Sequence, residues 1–345
     1  MRALTISAHG GLDQLELRSD VLDPVATERT VRVQIAAAAL NHLDLFTLGG
    51  LPGVNIVAPW IMGGDGAGVI ESVGDGVTEV VVGDTVVINP GLSDGTCEYC
   101  QRGEQSECVR FRLLGEHVPG TMAEYIVVPV KNVRKISPDT DMNVAAAFTL
   151  ATLTAWRMVM TRARVGPQDE VLIWGIGGGV AQAALRLCKE IGARVWVTSG
   201  SDEKLARARS MGADETLNHR TTNVAKEIRA RTGKRGVTVV IDSVGQATWE
   251  SSLGALGRAG RLVTCGGTSG ATVETDVRRL FWNQWTIMGS TMGNDSEFEA
   301  VVKALNEGRL QPSIDSVFSM EDGKAAFARM ASGEQFGKIV VRISA

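Results

Sequence analysis

The feature that most constrains this fold is an alternation of short apolar runs and helical stretches that begins near residue 170. Glu170-Val-Leu-Ile-Trp reads as a strand and Val180 to Ile191 as a helix; Arg194-Val-Trp-Val-Thr and Asp202 to Met211 repeat the pair. Val237-Thr-Val-Val-Ile-Asp242 and Gly260-Arg-Leu-Val-Thr-Cys265 continue the series. Repeated strand, helix, strand units predict a parallel sheet covered by helices on both faces.

The first 150 residues follow another pattern. Thr30-Val-Arg-Val-Gln-Ile, Gly68-Val-Ile-Glu-Ser-Val-Gly and Asp84-Thr-Val-Val-Ile-Asn-Pro are short β runs punctuated by glycine. Turn signals at that density predict a twisted, barrel-like β domain. A chain of 345 residues exceeds what one core organises, so two domains are expected. Beyond Gly289 there is one helical stretch, Ser296 to Asn306, and a closing strand, Lys338-Ile-Val-Val-Arg-Ile. These last residues are too few for a domain of their own. The reading is therefore residues 1–150 for the first domain, 151–289 for an inserted parallel-sheet domain, and 290–345 as a return to the first.

Charge excludes some partners. A net charge of -4 leaves no footprint for nucleic acid, and the run Arg229, Arg231, Lys234, Arg235 reads as a solvated helix end. No window reaches the ~20 apolar residues that span a bilayer. The alternating Met1-Arg-Ala-Leu-Thr-Ile-Ser lacks the pattern of a secretory signal, so a cytoplasmic location is expected.

Three of the five cysteines are clustered. Asp94, Cys97, Cys100 and Cys108 form D-x2-C-x2-C-x7-C within a lobe spanning about 90–112. Three thiolates and a carboxylate can close a tetrahedron around one structural zinc ion per chain; the alternative is a lobe with three leftover thiols. Cys188 and Cys265 lie singly in apolar stretches, which suits a reducing compartment.

The strand ending at Trp174 runs into Gly175-Ile-Gly177-Gly178-Gly179-Val180 and then a helix. Glycines there allow a tight turn and close approach of a pyrophosphate to a helix N-terminus. The next strand ends Thr198-Ser199-Gly200-Ser201-Asp202-Glu203-Lys204. Ser199 stands where an NAD site usually has an acid for the ribose hydroxyls. Ser201 and Lys204 offer a hydroxyl and a charge to a 2′-phosphate, favouring NADPH over NADH. Ser243, Cys265 and Gly266 fall at carboxyl ends of parallel strands, where such sheets bind ligands.

With these residues in hand, the chain resembles the medium-chain dehydrogenase/reductase superfamily over essentially its whole length. Gly83-Asp84-Thr-Val86, Gly120-Thr-Met-Ala-Glu124-Tyr125 and Phe336-Gly337-Lys338 carry the resemblance. Asn41-His-Leu-Asp44, the spaced Gly175, Gly178 and Ala181, and Asp242-Ser243-Val244-Gly245 point to its quinone oxidoreductase branch. The resemblance implies a GroES-like β-barrel catalytic domain joined to a Rossmann, doubly wound nucleotide-binding domain. It also implies cofactor contacts for Thr154 and Lys338, a histidine, His219, beside the adenine, and Arg220 on the 2′-phosphate. Zinc-dependent alcohol dehydrogenases of this superfamily hold a catalytic metal with cysteine, histidine and cysteine or carboxylate. The matching positions here are Asn41, Gly64 and Leu150, none of which ligates zinc.

Without that Lewis acid, hydride has to land on a carbon already electron-poor, such as that of a quinone or an α,β-unsaturated carbonyl. Asn41 is the candidate donor to the developing oxygen charge, and His42 a candidate proton donor whose side chain would point away from Asn41 on an extended segment. Asp44, Phe46 and Trp60 are assigned to the substrate pocket. The small-molecule reductase is expected as a homodimer or homotetramer, with residues 278–293 at an edge-strand contact. Two other functions fit the same residues: an alcohol or carbonyl dehydrogenase, and a nucleotide-binding homologue without turnover.

Overall fold

A computed structural model describes residues 1–344. The chain divides into two compact units, Met1–Ala151 with Gly293–Ala345, and Thr152–Met292.

In the first unit the strand Thr30–Ala39 is the centrepiece. Its alternate residues Val31, Val33 and Ile35 are fully buried, as a period of two requires of a strand with one face on a core. It pairs antiparallel with Asp65–Val73, Tyr125–Pro129 and Lys338–Arg342. The last of these brings the C-terminal strand into the N-terminal sheet, where it also pairs in parallel with Ile314–Ser319. A three-stranded sheet of Leu15–Arg18, Ala3–Ile6 and Trp60–Ile61 lies within the same unit.

Two sequence expectations change here. Residues 42–49 are helical, not extended: the helix His42–Gly49 starts directly after Asn41. The helix Gly323–Ala331 and the strand Ile314–Ser319 add elements to the return segment beyond the one helix and one strand read from sequence.

The second unit is a six-stranded sheet whose pairs are all parallel. Its order is Glu215–Asn218, Arg194–Ser199, Glu170–Ile173, Val237–Asp242, Leu256–Thr264 and Thr286–Gly289. Numbered along the chain that order is 3-2-1-4-5-6, the doubly wound arrangement whose switch point lies between Glu170–Ile173 and Val237–Asp242. Val171, Leu172, Ile173, Val239, Val240 and Ile241 are at most 2% exposed, which is why these strands read as unbroken apolar runs. Among the described residues no helix is long and apolar enough to cross a membrane.

Candidate functional site

The nucleotide loop is built by backbone. Gly175 has φ +69°, a conformation that side chains disfavour, and its N–H donates to the Thr198 hydroxyl at 3.2 Å. Gly178 precedes the helix Gly179–Ile191, so Gly179 and Val180 form its first turn and their N–H groups have no partner within the helix. Gly177 lies within the same turn. Gln182 reaches back to the Ile176 carbonyl at 3.2 Å and ties the helix to the loop.

The neighbouring strand ends at Ser199, which is 5% exposed and whose hydroxyl accepts from Ser201 N–H at 3.1 Å. Ser201 precedes the helix Asp202–Ser210, and its oxygen accepts from Lys204 N–H at 3.4 Å; the hydroxyl proton remains available to an anion. Arg220 lies across Gly200, where an added Cβ would fall 2.6 Å from its Nε. His219 N–H donates to the Ser199 carbonyl at 3.1 Å, and the His219 ring is 6.3 Å from that of Trp174. Asp202, the acid nearest the strand end, is engaged by Asn218 at 2.8 Å. The structure therefore gathers Ser199, Gly200, Ser201 and Arg220 into one corner, beside the exposed Asp202 and Glu203 of the helix start.

At the other strand ends, buried Asp242 accepts from Val244 and Gly245 N–H through Oδ1, and from the Thr248 and Ser252 hydroxyls through Oδ2. It pins the turn that carries Ser243. Cys265, half-buried, follows the adjacent strand with Gly266, and desolvation pushes its thiol up to about 12. Thr154 is 6% exposed and its hydroxyl lies 3.6 Å from the Met292 sulfur.

The first unit holds a second cluster. Asp65, fully buried, accepts four hydrogen bonds: Thr149 Oγ1 at 2.6 Å and Leu150 N at 2.7 Å on Oδ1, Asn41 Nδ2 and Lys338 Nζ, each at 2.9 Å, on Oδ2. Lys338 also donates to Asn41 Oδ1 at 2.5 Å. Asp44 accepts from Asn41 N–H at 2.7 Å, and burial pushes its carboxyl up to about 7, opposed by N–H donors and by the Lys338 charge.

Several site assignments are corrected by this geometry. Lys338 is 3% exposed and bound to Asp65 and Asn41, so it is neither a surface lysine nor free to close over a nucleotide. Trp60 is a core residue, 6% exposed, with its indole N–H donating to the Gly115 carbonyl at 2.9 Å. His42 is exposed at the start of its helix and makes an edge contact with Phe46 at 6.0 Å, one turn on. Asp44 is 2% exposed and faces backbone donors. Residue-by-residue reading missed Asp65 and Thr149 as members of the cluster; a lysine opening the apolar run Ile339-Val-Val341 was the available signal.

The three positions matched to a catalytic metal do not fit one. A Cβ on Gly64 would lie 3.3 Å from Leu150 Cδ1, so the leucine fills the space a larger ligand side chain would need. Asp65 has its lone pairs engaged, and an ammonium already neutralises it.

The lobe behaves differently. Ligand atoms of Asp94, Cys97, Cys100 and Cys108 all lie within 4.8 Å of one another, and Cys97 Sγ is 3.5 Å from Cys100 Sγ. Strands Gly91–Leu92 and Arg112–Leu113 pair antiparallel and close the loop at its base. Cys108 Sγ accepts from the N–H groups of Asp94 at 3.3 Å and Arg110 at 3.4 Å. N–H donors of Cys97 and Thr96 hold the Asp94 carboxyl well below the usual carboxylate range. The donor set, three sulfurs and one oxygen, fits zinc, which would cross-link the loop without an open coordination position.

Comparison with known proteins follows the two-unit division. Residues 27–138 match the family model described as alcohol dehydrogenase GroES-like domain, and residues 179–307 that described as zinc-binding dehydrogenase. The chain is 31% identical to an alcohol dehydrogenase of Geobacillus stearothermophilus, covering 94% of this chain and 95% of that one. It is 27% identical to the quinone oxidoreductase of Homo sapiens, covering 99% and 97%. A solved NAD-dependent alcohol dehydrogenase superposes over all of both chains with a TM-score of 0.94 and 39% identity.

Proposed function

We propose a function from one premise: this chain belongs to the medium-chain dehydrogenase/reductase superfamily. It is an oxidoreductase, and our reading is that it moves hydride from NADPH to a quinone or an α,β-unsaturated carbonyl without a catalytic metal. The observation that carries this reading is the Asn41, Asp65, Lys338 cluster, which includes one of the three positions matched to metal ligands, Asn41, and ties it to a lysine and a saturated carboxylate. An alcohol hydroxyl needs acidifying before it loses hydride, and nothing in the cluster supplies that. A conjugated acceptor needs less. Held at the glycine turn and the Ser199, Ser201, Arg220 corner, NADPH would supply hydride to the electron-poor carbon, with the π electrons passing to the oxygen and a solvent proton completing the product. Asn41 N–H stabilises the charge on that oxygen.

The NADPH preference rests on Ser199, Gly200, Ser201 and Arg220, which offer hydroxyls and a guanidinium to a 2′-phosphate. Lys204 adds charge to the same helix start. Asp94, Cys97, Cys100 and Cys108 hold one structural zinc. A homodimer or homotetramer is supported by the edge strand Thr286–Gly289 and by Phe281 and Trp282, which are 64% and 68% exposed beside it; Trp285 is a core residue, 7% exposed.

The likeness to proteins described as alcohol dehydrogenases favours a second reading, reversible carbonyl reduction. NADPH and NADH consumption against quinones, unsaturated ketones and simple aldehydes separates the two. Turnover of conjugated acceptors with NADPH supports the first reading. Turnover confined to aldehydes and alcohols establishes the second.

A further inference from the structure

We propose that Lys338 is a positioning residue: held by Asp65, its buried ammonium fixes the Asn41 amide so that one side-chain N–H faces the substrate oxygen. The inference rests on the metal-free reductase reading. Its basis is the donor and acceptor character of the three groups. An ammonium only donates, so the Asn41 atom it touches at 2.5 Å is the carbonyl oxygen. An ionised carboxylate only accepts, so the Asn41 atom at 2.9 Å from Asp65 is the amide nitrogen. The two charges thus impose one amide orientation on a side chain that otherwise chooses between two.

All three members of the cluster are buried, Asn41 the least deeply. Asp65 is 0% exposed, Lys338 3% and Asn41 9%, so Asn41 is its most accessible member. Asn41 has two amide protons; one is on Asp65, and the other has no partner among the described residues. Asp44 holds the Asn41 backbone N–H at 2.7 Å and fixes the point from which the side chain projects. Stability does not explain the ion pair, since apolar residues of similar volume often replace such a pair at no cost. Orienting a donor does explain it.

The test uses the full-length, zinc-replete enzyme and a charge-neutral pair variant, Asp65→Asn with Lys338→Met. This removes the Asp65 and Lys338 charges together and keeps a side chain able to accept from Thr149 and Leu150. NADPH affinity, measured by fluorescence, is expected to stay within about twofold of wild type, while kcat for an unsaturated ketone falls about 100-fold with little change in KM. In an Asn41→Ala background the pair substitution is expected to have no further effect, because Lys338 acts through that amide.

A pair variant with wild-type kcat overturns the inference, and so does an equal loss with and without Asn41. If wild type reduces no conjugated acceptor, the reductase reading fails, and the Asn41 side-chain amide resonances still decide the positioning claim. Two distinct, slowly exchanging N–H signals in wild type that average or broaden in the pair variant support it. Signals unchanged by the substitution overturn it.

Discussion

The molecule has two places where a metal ion could be sought, and they differ in how their charges are settled. In the Asp94, Cys97, Cys100, Cys108 lobe, one carboxylate and three thiols converge, and the largely exposed Arg110 guanidinium lies on the outer Asp94 oxygen. In the Asn41, Asp65, Lys338 cluster the cation is part of the chain, the carboxylate is saturated, and the ligand positions are an amide, a glycine and a leucine. Convergent carboxylates or thiols alone do not mark a metal site. What separates these two clusters is whether the ligand atoms face one another, as in the lobe, or are already taken up by a lysine and N–H and O–H donors, as at Asp65.

The comparison can be broken at either end. The largest effect is expected in the lobe. Cys100→Ala removes a ligand from a closed tetrahedron, and structural zinc binding contributes on the order of 10 kcal/mol in small domains. Elemental analysis should show zinc lost from the variant, and limited proteolysis should cut between residues 93 and 112. Zinc retained at wild-type stoichiometry would mean that the lobe is not its site.

At the other end, Lys338→Met alone strands the buried Asp65 carboxylate. Breaking such a pair costs about 3–5 kcal/mol. Denaturant unfolding of this variant should show that loss, and the addition of Asp65→Asn should recover most of it. A variant as stable as wild type would mean that Lys338 does not neutralise Asp65.

Asp44 sharpens the comparison through pH. Its carboxyl is raised to about 7 in the folded chain, so the folded state holds a proton that the unfolded state has already released. The resulting stabilisation is fully present below about pH 4, the ordinary aspartate range, and is gone above about 7. Relative to Asp44→Asn, wild-type stability should therefore fall across that window, by up to ~4 kcal/mol. Unfolding midpoints measured at pH 4.5 and 8 for both proteins check this, and parallel profiles would contradict it.

The smallest effect belongs to the cofactor corner. Arg220→Ala should weaken NADPH by about 1.5–3 kcal/mol, the range for a hydrogen bond to a charged group, and leave NADH unchanged. Paired titrations read it; equal losses for both cofactors would place Arg220 away from the 2′-phosphate.

How much was legible in the sequence follows from whether the signal was local. Val171-Leu-Ile and Val237-Thr-Val-Val-Ile are buried on both sheet faces and read directly as parallel strands. The edge strand Glu215-Thr-Leu-Asn has one apolar residue in four and, among the described residues, one neighbour, so no apolar run announces it. The candidate metal ligands Asp94, Cys97, Cys100 and Cys108 lie within 15 residues of one another and show in spacing alone. The cluster did not: Lys338 meets Asn41 across 297 residues, and only the pairing of the C-terminal strand with Thr30–Ala39 brings them together. The helix after Asn41 was read as extended because its first turn, His42-Leu-Asp44, gives too short a window for helical periodicity.

The most direct test of the account is the zinc content per chain, measured on wild type and on Cys100→Ala. One equivalent in wild type and none in the variant, with wild-type NADPH-dependent turnover of a conjugated acceptor, is the predicted result. Two equivalents in wild type, or one that persists in the variant and is required for turnover, would place a metal at Asn41 and Asp65 and contradict the account.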